Sequence, residues 1–372
     1  MSNPPCGARI AWLILALLAL VACDPARQNR LAEAPSADPA TRLEAPGQAP
    51  QKGTGAKPSK LEPPASAQPG QLRAGAQGIV DGDTIRVVGF DNSIRLLQLD
   101  CEEVLKGDDL ALADANWSAY VAAQSGDDDA RIATYGTPLG NEATAFARDF
   151  FDGIEEVFVE YESPKRTRDF FGRHLAYVWI KRQGDVQGWL NYNLEAVRAG
   201  MSPYYTKYGY SARYHAAFEA AEAEAQQAGR GIWAKGARAY PDYARRKLEW
   251  ADRAQQIAAF RDGFDAHEAF IELGSDTAMA TLRQRLGQRV TLFGSVARFS
   301  PRGRPPKLHL AHRYRENVVV VASGTYAFAR DLDTRQEEFV YVDGLVTLYR
   351  GNPQIELDET SRVLSGRTPP RP

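Results

Sequence analysis

The stretch VDGDTIRV, residues 80–87, places two carboxylates, Asp81 and Asp83, at the entrance of a β-branched, apolar run. Asp and Gly disfavour strands, whereas Val, Ile and Thr favour them. Asp-Gly is common in hairpin turns, so a turn is one interpretation of this acidic entrance. The other is a metal site, because hard cations bind carboxylate oxygens. Only the surrounding sequence can decide between the two.

Further acids and two arginines stand at the ends of other predicted strands. Arg95 opens the strand in SIRLLQLDCEE, Asp100 closes it, and Glu103 follows. Arg173 begins a later strand, in TRDFFGRHLAYVWI. Phosphodiester hydrolysis uses these groups: carboxylates hold a cation that polarises the phosphate, guanidiniums hold its oxygens, and a further carboxylate activates water. The pattern therefore indicates phosphodiester chemistry.

These pieces resemble the staphylococcal nuclease (thermonuclease) family, from about residue 74 to residue 233. The matching stretches, in family order, are IVDGDTIRV, IRLLQLDCEE, YGTPLGNEATAFARDFF, TRDFFGRHLAYVW, NLEAVRAGMS and AEAQQAGRGIW. The resemblance implies a five-stranded OB-type barrel with three helices, which cleaves DNA and RNA with calcium. It answers the opening question, since such a barrel brings Asp83 beside Asp100 to share an ion.

The resemblance also assigns roles to individual residues. The metal-binding aspartates fall on Asp83 and Asp100, a backbone carbonyl ligand falls on Cys101, and Asp81 is the acid that supports the ligands. The phosphate-binding arginines fall on Arg95 and Arg173. The glutamate proposed as general base falls on Glu103.

The chain departs from the family pattern near this set. Residues 100–103 read Asp-Cys-Glu-Glu where the family commonly has Asp-Thr-Pro-Glu, so Glu102 competes with Glu103 for the role of base. Phe171 replaces a tyrosine and removes a hydroxyl from the phosphate site. Tyr204 and Tyr205 are candidates for aromatic contact with substrate. The loop 104–134 is longer than usual and carries Trp117, Tyr120 and the acids 127–129, which either gate the site, bind metal or form a solvated face.

The rest of the chain is organised around this predicted domain. We expect an α+β fold in which the nuclease-like barrel (73–236) is followed by a helical connector (237–287), a second, OB-like barrel (288–364) and a disordered tail (365–372). The predicted strands of the first barrel are 74–80, 84–88, 93–99, 156–161 and 175–181. Its predicted helices are 141–152, 187–199 and 212–228.

The N-terminus predicts export. A 13-residue apolar run, from Ile10 to Ala22, is too short to span a membrane comfortably and is typical of a signal peptide, here residues 1–23. It ends in Leu-Val-Ala-Cys, which resembles a bacterial lipoprotein cleavage box with Cys23 as the lipidated residue. Residues 24–72 are rich in Pro, Ala and Gln and predict a disordered tether. Cys101 is then left without a cysteine partner.

Charge is divided unevenly between the two halves. Residues 72–236 carry 17 Lys and Arg against 25 Asp and Glu, whereas residues 237–372 carry 21 against 17. The basic excess gathers in the second barrel, together with aromatic and histidine neighbours that suit stacking on bases. These residues are Phe299, Arg302, Arg304, Lys307, His309, His312, Arg313, Tyr314 and Arg315. They predict either nucleic-acid binding or a basic edge packed on the acidic domain.

The leading hypothesis is thus a lipid-anchored, calcium-dependent nuclease of the cell envelope that acts on DNA, RNA or both. The rival is a binding module or envelope scaffold with the same barrels and no catalysis, since OB-type barrels host many functions. The complete set of acids and arginines favours the enzyme. Neither the preferred nucleic acid nor any protein partner is predicted.

Overall fold

The computed structural model of the chain describes residues 61–73, 77–125, 132–182, 188–314, 316–322 and 338–370, which all belong to one compact unit. The predicted signal peptide, Cys23 and most of the predicted tether lie outside these ranges. So do residues 127–129 and Arg315. Within the described ranges, none of the helices combines the length and apolarity that crossing a bilayer requires.

The strands are short and the helices are distributed between them. The strands are β1 (Gln68–Gln71), β2 (Thr84–Ile85), β3 (Ile94–Leu96), β4 (Glu103–Val104), β5 (Gly136–Thr137), β6 (Glu156–Glu160), β7 (His174–Lys181), β8 (Trp189–Asn191), β9 (Phe270–Glu272), β10 (Arg289–Ser300), β11 (Lys307–Arg313), β12 (Glu316–Ala322), β13 (Phe339–Tyr349), β14 (Asn352–Leu357) and β15 (Arg362–Ser365). The helices are α1 (Asp108–Ala115), α2 (Trp117–Ser125), α3 (Pro138–Phe150), α4 (Tyr192–Arg198), α5 (His215–Ala228), α6 (Tyr243–Phe264) and α7 (Ala278–Gln284).

The first barrel is built from β1, β2, β3, β7 and β6 in that order. The pairs are antiparallel except for β3 with β7, which run parallel. A bridge between Leu72 and Val87 joins the end of β1 to the residue that follows β2 and closes the barrel. Its interior is aliphatic and aromatic, with Trp179 and Tyr177 fully buried. The mixed α+β class and the OB-type barrel predicted from the sequence are confirmed.

The first strand lies earlier than predicted. We expected residues 74–80, of which 74–76 lie outside the described ranges, whereas β1 covers Gln68–Gln71. Its sequence, QPGQ, has no strand propensity of its own. It is a strand because β6 supplies hydrogen bonds and because Gly70 passes close to Val87, where an added Cβ would lie 2.6 Å from Val87 Cγ1.

Two further departures concern short strands within predicted helices. Residues 189–191 form β8, which pairs with β7, so the helix predicted for 187–199 begins only at Tyr192. In the connector, α6 and α7 are helical as predicted, but Phe270–Glu272 forms β9 and pairs in parallel with β10. Three-residue strands have too little sequence for a period-2 pattern, and their partners decide their conformation.

The second barrel repeats the strand order of the first. Its order is β10, β11, β12, β14 and β13, with β13 pairing back to β10, and only β12 with β14 runs parallel. Its core consists of Val, Leu and Ile side chains. Gly344 allows close approach of β14, since a Cβ there would meet Ile355 Cγ2 at 2.4 Å. The second five-stranded barrel predicted from the sequence is therefore confirmed.

Candidate active site

The DGDT stretch is a turn that presses against a helix. The Asp83 N–H donates to Asp81 Oδ1 at 3.1 Å, and the Tyr192 hydroxyl donates to the Gly82 carbonyl at 2.7 Å. A Cβ on Gly82 would lie 2.7 Å from Ala143 Cβ of α3 and 2.8 Å from Cys101 Sγ. Only glycine permits this approach. The turn thereby sends the side chain of Asp83 into the interior, where it is 2% exposed.

Arg95 joins the two aspartates that the sequence paired. Its guanidinium forms an ion pair with Asp83 Oδ1 and a second with Asp100 Oδ1, at 3.0 Å in the latter case. The pairing of β2 with β3 sets Thr84 opposite Arg95, so the residues at the strand ends meet at one edge of the barrel. The structure thus brings Asp83, Arg95 and Asp100 together, as the sequence predicted.

Both aspartates have pKa values displaced towards protonation. Burial raises the pKa of Asp83 to about 7, Arg95 opposes the rise, and the charges of Asp81 and Asp100 add to it. Burial also raises the pKa of Asp100, against the effects of Arg95 and Arg246. Negative charge is therefore concentrated where water solvates it poorly, a situation that a bound cation relieves.

The donor set fits a hard cation held by few protein ligands. In the described ranges, no group of three or more His, Cys, Asp or Glu side chains is arranged to hold a metal. Mg²⁺ is commonly held by one or two carboxylates with water and substrate phosphate, whereas Ca²⁺ takes about six to eight oxygens from carboxylates, carbonyls and water. Asp83 supplies a buried carboxylate and Asp100 a partly exposed one, and burial raises the pKa of both against the opposing charge of Arg95.

Cys101 adjoins this pair through its backbone. Its N–H donates to Asp83 Oδ2 at 2.9 Å, so the peptide that carries the predicted carbonyl ligand lies beside Asp83. The thiol is free, and burial raises its pKa well above the usual value. A buried thiol of this kind is unreactive, which agrees with a role for the main chain rather than the sulfur.

The two neighbouring glutamates occupy opposite environments. Glu102 is 3% exposed and accepts hydrogen bonds from Thr137 Oγ1, the Tyr240 N–H at 2.7 Å and the Tyr243 hydroxyl at 2.8 Å. Glu103 is exposed, and its own N–H donates to the Tyr240 hydroxyl. Glu102 therefore anchors the loop, and Glu103 is the one that can reach a substrate.

A cleft of about 610 Å³ collects three of the predicted catalytic residues. Arg95, Glu103 and Arg173 all line it, together with Tyr205. Asp169 positions Arg173, because its carboxylate accepts from Arg173 Nε at 2.7 Å and from the Arg173 N–H at 2.8 Å. A substrate in this cleft would thus meet the guanidiniums of Arg95 and Arg173 and the exposed carboxylate of Glu103, among other charged side chains.

The two candidate tyrosines differ in position. Tyr205 lines the cleft and contacts Trp250 edge to face, with ring centroids 4.7 Å apart. Tyr204 is 4% exposed, stacks on Phe218, and its hydroxyl bonds to the Ser211 N–H and to His215 Nδ1. Tyr204 is therefore part of the core, and contact with substrate would require it to leave these partners.

The long loop and the connector support the site from behind. Trp117 and Tyr120 of α2 pack in an aromatic cluster with Tyr135 and Tyr240, which adjoins the Glu102–Glu103 loop. The loop's described part is thus a packed support. Its acids at 127–129 lie outside the described residues.

Sequence reasoning missed Arg246. This residue of α6 is 5% exposed, pairs with Asp242 at 2.8 Å and has its Nη1 atom 3.9 Å from Asp100 Oδ2. It lies in the predicted connector, outside every stretch that carried the resemblance. The basic run 245–247 was its only signal, and such a run usually marks a solvated helix face.

Comparison with known proteins agrees with this geometry. A family model described as "Staphylococcal nuclease homologue" matches residues 93–235, which include Arg95, Asp100, Glu103 and Arg173 but not Asp83. No curated protein matches the chain. Residues 93–235 are therefore similar to the nuclease domain of the staphylococcal nuclease family, and they supply β3, β6 and β7 of the first barrel.

Proposed function

We propose that the protein is a calcium-dependent nuclease that hydrolyses phosphodiester bonds of DNA, RNA or both. The observation that carries this proposal is that Arg95, Glu103 and Arg173 line one cleft, with Asp83 and Asp100 paired through Arg95 at its edge. This arrangement supplies groups for charge neutralisation, for phosphate binding and for proton transfer along one cleft and at its edge.

Each residue has a definite task in this proposal. Asp83, Asp100 and the Cys101 carbonyl would hold calcium, which supplies Lewis-acid polarisation of the phosphate when bound. The guanidiniums of Arg95 and Arg173 bind non-bridging phosphate oxygens and stabilise the charge that grows there. The Glu103 carboxylate accepts a proton from the attacking water. Glu102, buried and fully engaged, keeps Glu103 in place.

We propose in addition that the enzyme acts in the cell envelope, attached to a membrane through a lipidated Cys23. The support is the apolar run 10–22 with Cys23 at its end, followed by a segment rich in Pro, Ala and Gln. Mass spectrometry of the N-terminal peptide from cells tests this point. A diacylated Cys23 is expected, and a mature chain cleaved elsewhere would contradict it.

A nuclease assay on the full chain tests the function itself. Cleavage of single- and double-stranded DNA and of RNA is measured with calcium, with magnesium and with chelator. We expect cleavage only with calcium. Nucleic-acid binding without cleavage under every condition would instead support the rival hypothesis of an inactive binding module. Full activity in chelator would reject the calcium assignment alone.

A further inference from the structure

The second barrel is clamped onto the loop that leads to Arg173. Asp276, between β9 and α7, accepts from Thr167 N–H at 2.7 Å and from Thr167 Oγ1 at 2.6 Å. Its own N–H donates to the Lys165 carbonyl at 2.8 Å, and its other carboxylate oxygen pairs with Arg313 of β11. One carboxylate therefore joins the first barrel to the second, next to the cleft.

A second connection brings an aromatic ring across the boundary. Tyr314, at the turn between β11 and β12, donates its N–H to the Phe170 carbonyl at 2.7 Å. Its ring centroid lies 5.9 Å from that of Phe171 and 6.1 Å from that of Phe170. The β11–β12 turn is thus held with its tyrosine against the Phe170–Phe171 pair.

These rings are unusually exposed for their size. Phe171 is 61% exposed and Tyr314 is 56% exposed. The two rings contact each other, but much of their apolar surface remains in water. Such exposure is typical of a binding surface rather than of a core. The guanidinium carbon of Arg173 lies 5.7 Å from the centroid of the Phe171 ring. The exposed aromatic surface and the proposed phosphate ligand are therefore direct neighbours.

We propose that Tyr314 and Phe171 form a stacking surface for a base of single-stranded nucleic acid whose phosphate is bound by Arg173. The inference rests on the proposed function, because it takes Arg173 as a phosphate ligand. Proteins that bind single strands combine cationic groups for the backbone with aromatic rings for the bases. Here the cation comes from the first barrel, and the aromatic surface is completed by the second. The second barrel is then a part of the substrate site.

Binding without turnover gives the direct test. The full chain, in chelator, is titrated against a fluorescein-labelled single-stranded DNA, and fluorescence anisotropy gives the affinity. Tyr314→Ala is expected to weaken binding by about 5- to 100-fold, the range for one lost base stack. Tyr314→Phe keeps the ring and should bind as the wild type does. Leu348→Ala is the control, because Leu348 is a similarly exposed apolar side chain (49%) of the same barrel.

A scan with abasic oligonucleotides locates the base. One missing base should weaken binding to the wild type and leave binding to Tyr314→Ala unchanged, because the contact is already lost. An unchanged affinity in Tyr314→Ala, or an equal loss in Tyr314→Phe, overturns the stacking surface. So does an equal loss in Leu348→Ala, which would show that the effect is not specific to the Tyr314 ring. Unaltered thermal unfolding of Tyr314→Ala shows that the effect is local.

Parallel cleavage assays with calcium separate this inference from the proposed function. We expect Tyr314→Ala to raise KM and to keep kcat, since it touches none of the proposed catalytic groups. Normal cleavage with unchanged KM would overturn the inference and leave the nuclease standing. If binding depended on Tyr314 but the protein cleaved no nucleic acid, the stacking surface would stand and the proposed nuclease activity would be rejected.

Discussion

The two barrels share a strand order but differ at the entrance to their second strand. In the first barrel, the chain enters β2 through Asp83, which is buried and paired with Arg95. In the second, it enters β11 through a basic loop, where Arg304 is exposed and Lys307 lines a cavity of about 540 Å³ with His309 and Arg350. Equivalent places in one topology therefore carry opposite charge.

The difference extends from the charge to its solvation. Asp83 and Asp100 of the first barrel lie where burial raises their pKa values, and both pair with the Arg95 guanidinium. The bases of the second barrel are mostly in contact with water, where charges cost little. Strand order alone thus says nothing about chemistry. The side chains at the strand ends, and how deeply they are buried, decide it.

The strongest test of this contrast removes one acid from each barrel. We expect Asp83→Asn to lower kcat by about 1000-fold or more, since it takes a ligand from a site with only two carboxylates and breaks the pair with Arg95. Asp343→Asn, in β13, is the matched control: Asp343 also pairs with an arginine, Arg289, at 3.3 Å. Initial cleavage rates and calcium affinity by calorimetry are measured for both variants. Equal effects would show that Asp83 is structural.

A second test separates the two glutamates of the first barrel. Glu103→Gln should lower kcat by about 100-fold or more and leave the unfolding free energy near that of the wild type, because Glu103 is exposed. Glu102→Gln should cost about 1–3 kcal/mol of stability, since it disturbs a buried acceptor of three hydrogen bonds. Activity assays and urea unfolding are run on both. If Glu102→Gln alone lost turnover with unchanged stability, Glu102 would be the base.

The sequence predicted which side chains lie together at the cleft better than it predicted the short strands, because different forces determine the two. Asp83, Arg95 and Asp100 could be found because metal and phosphate chemistry requires these residue types. They also stand in short motifs that can be recognised in a single sequence. β1 and β9 could not be found, because β6 and β10 supply their hydrogen bonds from far along the chain. Arg246 was missed for the same reason: α6 approaches Asp100 from far along the chain.

The basic residues that are close in the sequence of the second barrel do not form one cluster in the structure. Arg304 and Lys307 share one groove, whereas Arg313 turns to Asp276 and His312 is buried with its Nδ1 atom 2.8 Å from the Leu273 carbonyl. His312 and Arg313, which are neighbours in the sequence, thus lie in different environments. The pleat of a strand alternates its side chains, so a cluster in sequence separates in space.

A weaker effect is expected from the basic groove. Arg304→Ala with Lys307→Ala should reduce the slope of log K against log salt by about 1.4 for single-stranded DNA, since each lost phosphate contact releases about 0.7 fewer counterions. Arg289→Gln, which removes a charge paired with Asp358 at 2.8 Å on the same barrel, is the control. Binding isotherms at several salt concentrations measure the slope. An unchanged slope would mean that Arg304 and Lys307 make no phosphate contacts.

The smallest expected effect concerns the pH dependence of stability, and it tests whether the two barrels unfold together. Each has an exposed aspartate in a turn with its pKa lowered to about 2: Asp91, through Arg168 and then His174, and Asp358, mainly through Thr360. A carboxyl with a folded-state pKa below its unfolded value stabilises the protein above about pH 4, and this contribution is lost as the pH falls towards 2. Asp91→Asn and Asp358→Asn should therefore each flatten the decline in stability over that interval, and only slightly, because both groups are in water. Urea unfolding at several pH values measures the decline. If the contacts of Asp276 join the barrels into one cooperative unit, both variants will shift the same unfolding transition. Two transitions, each sensitive to one variant, would mean that the barrels unfold independently.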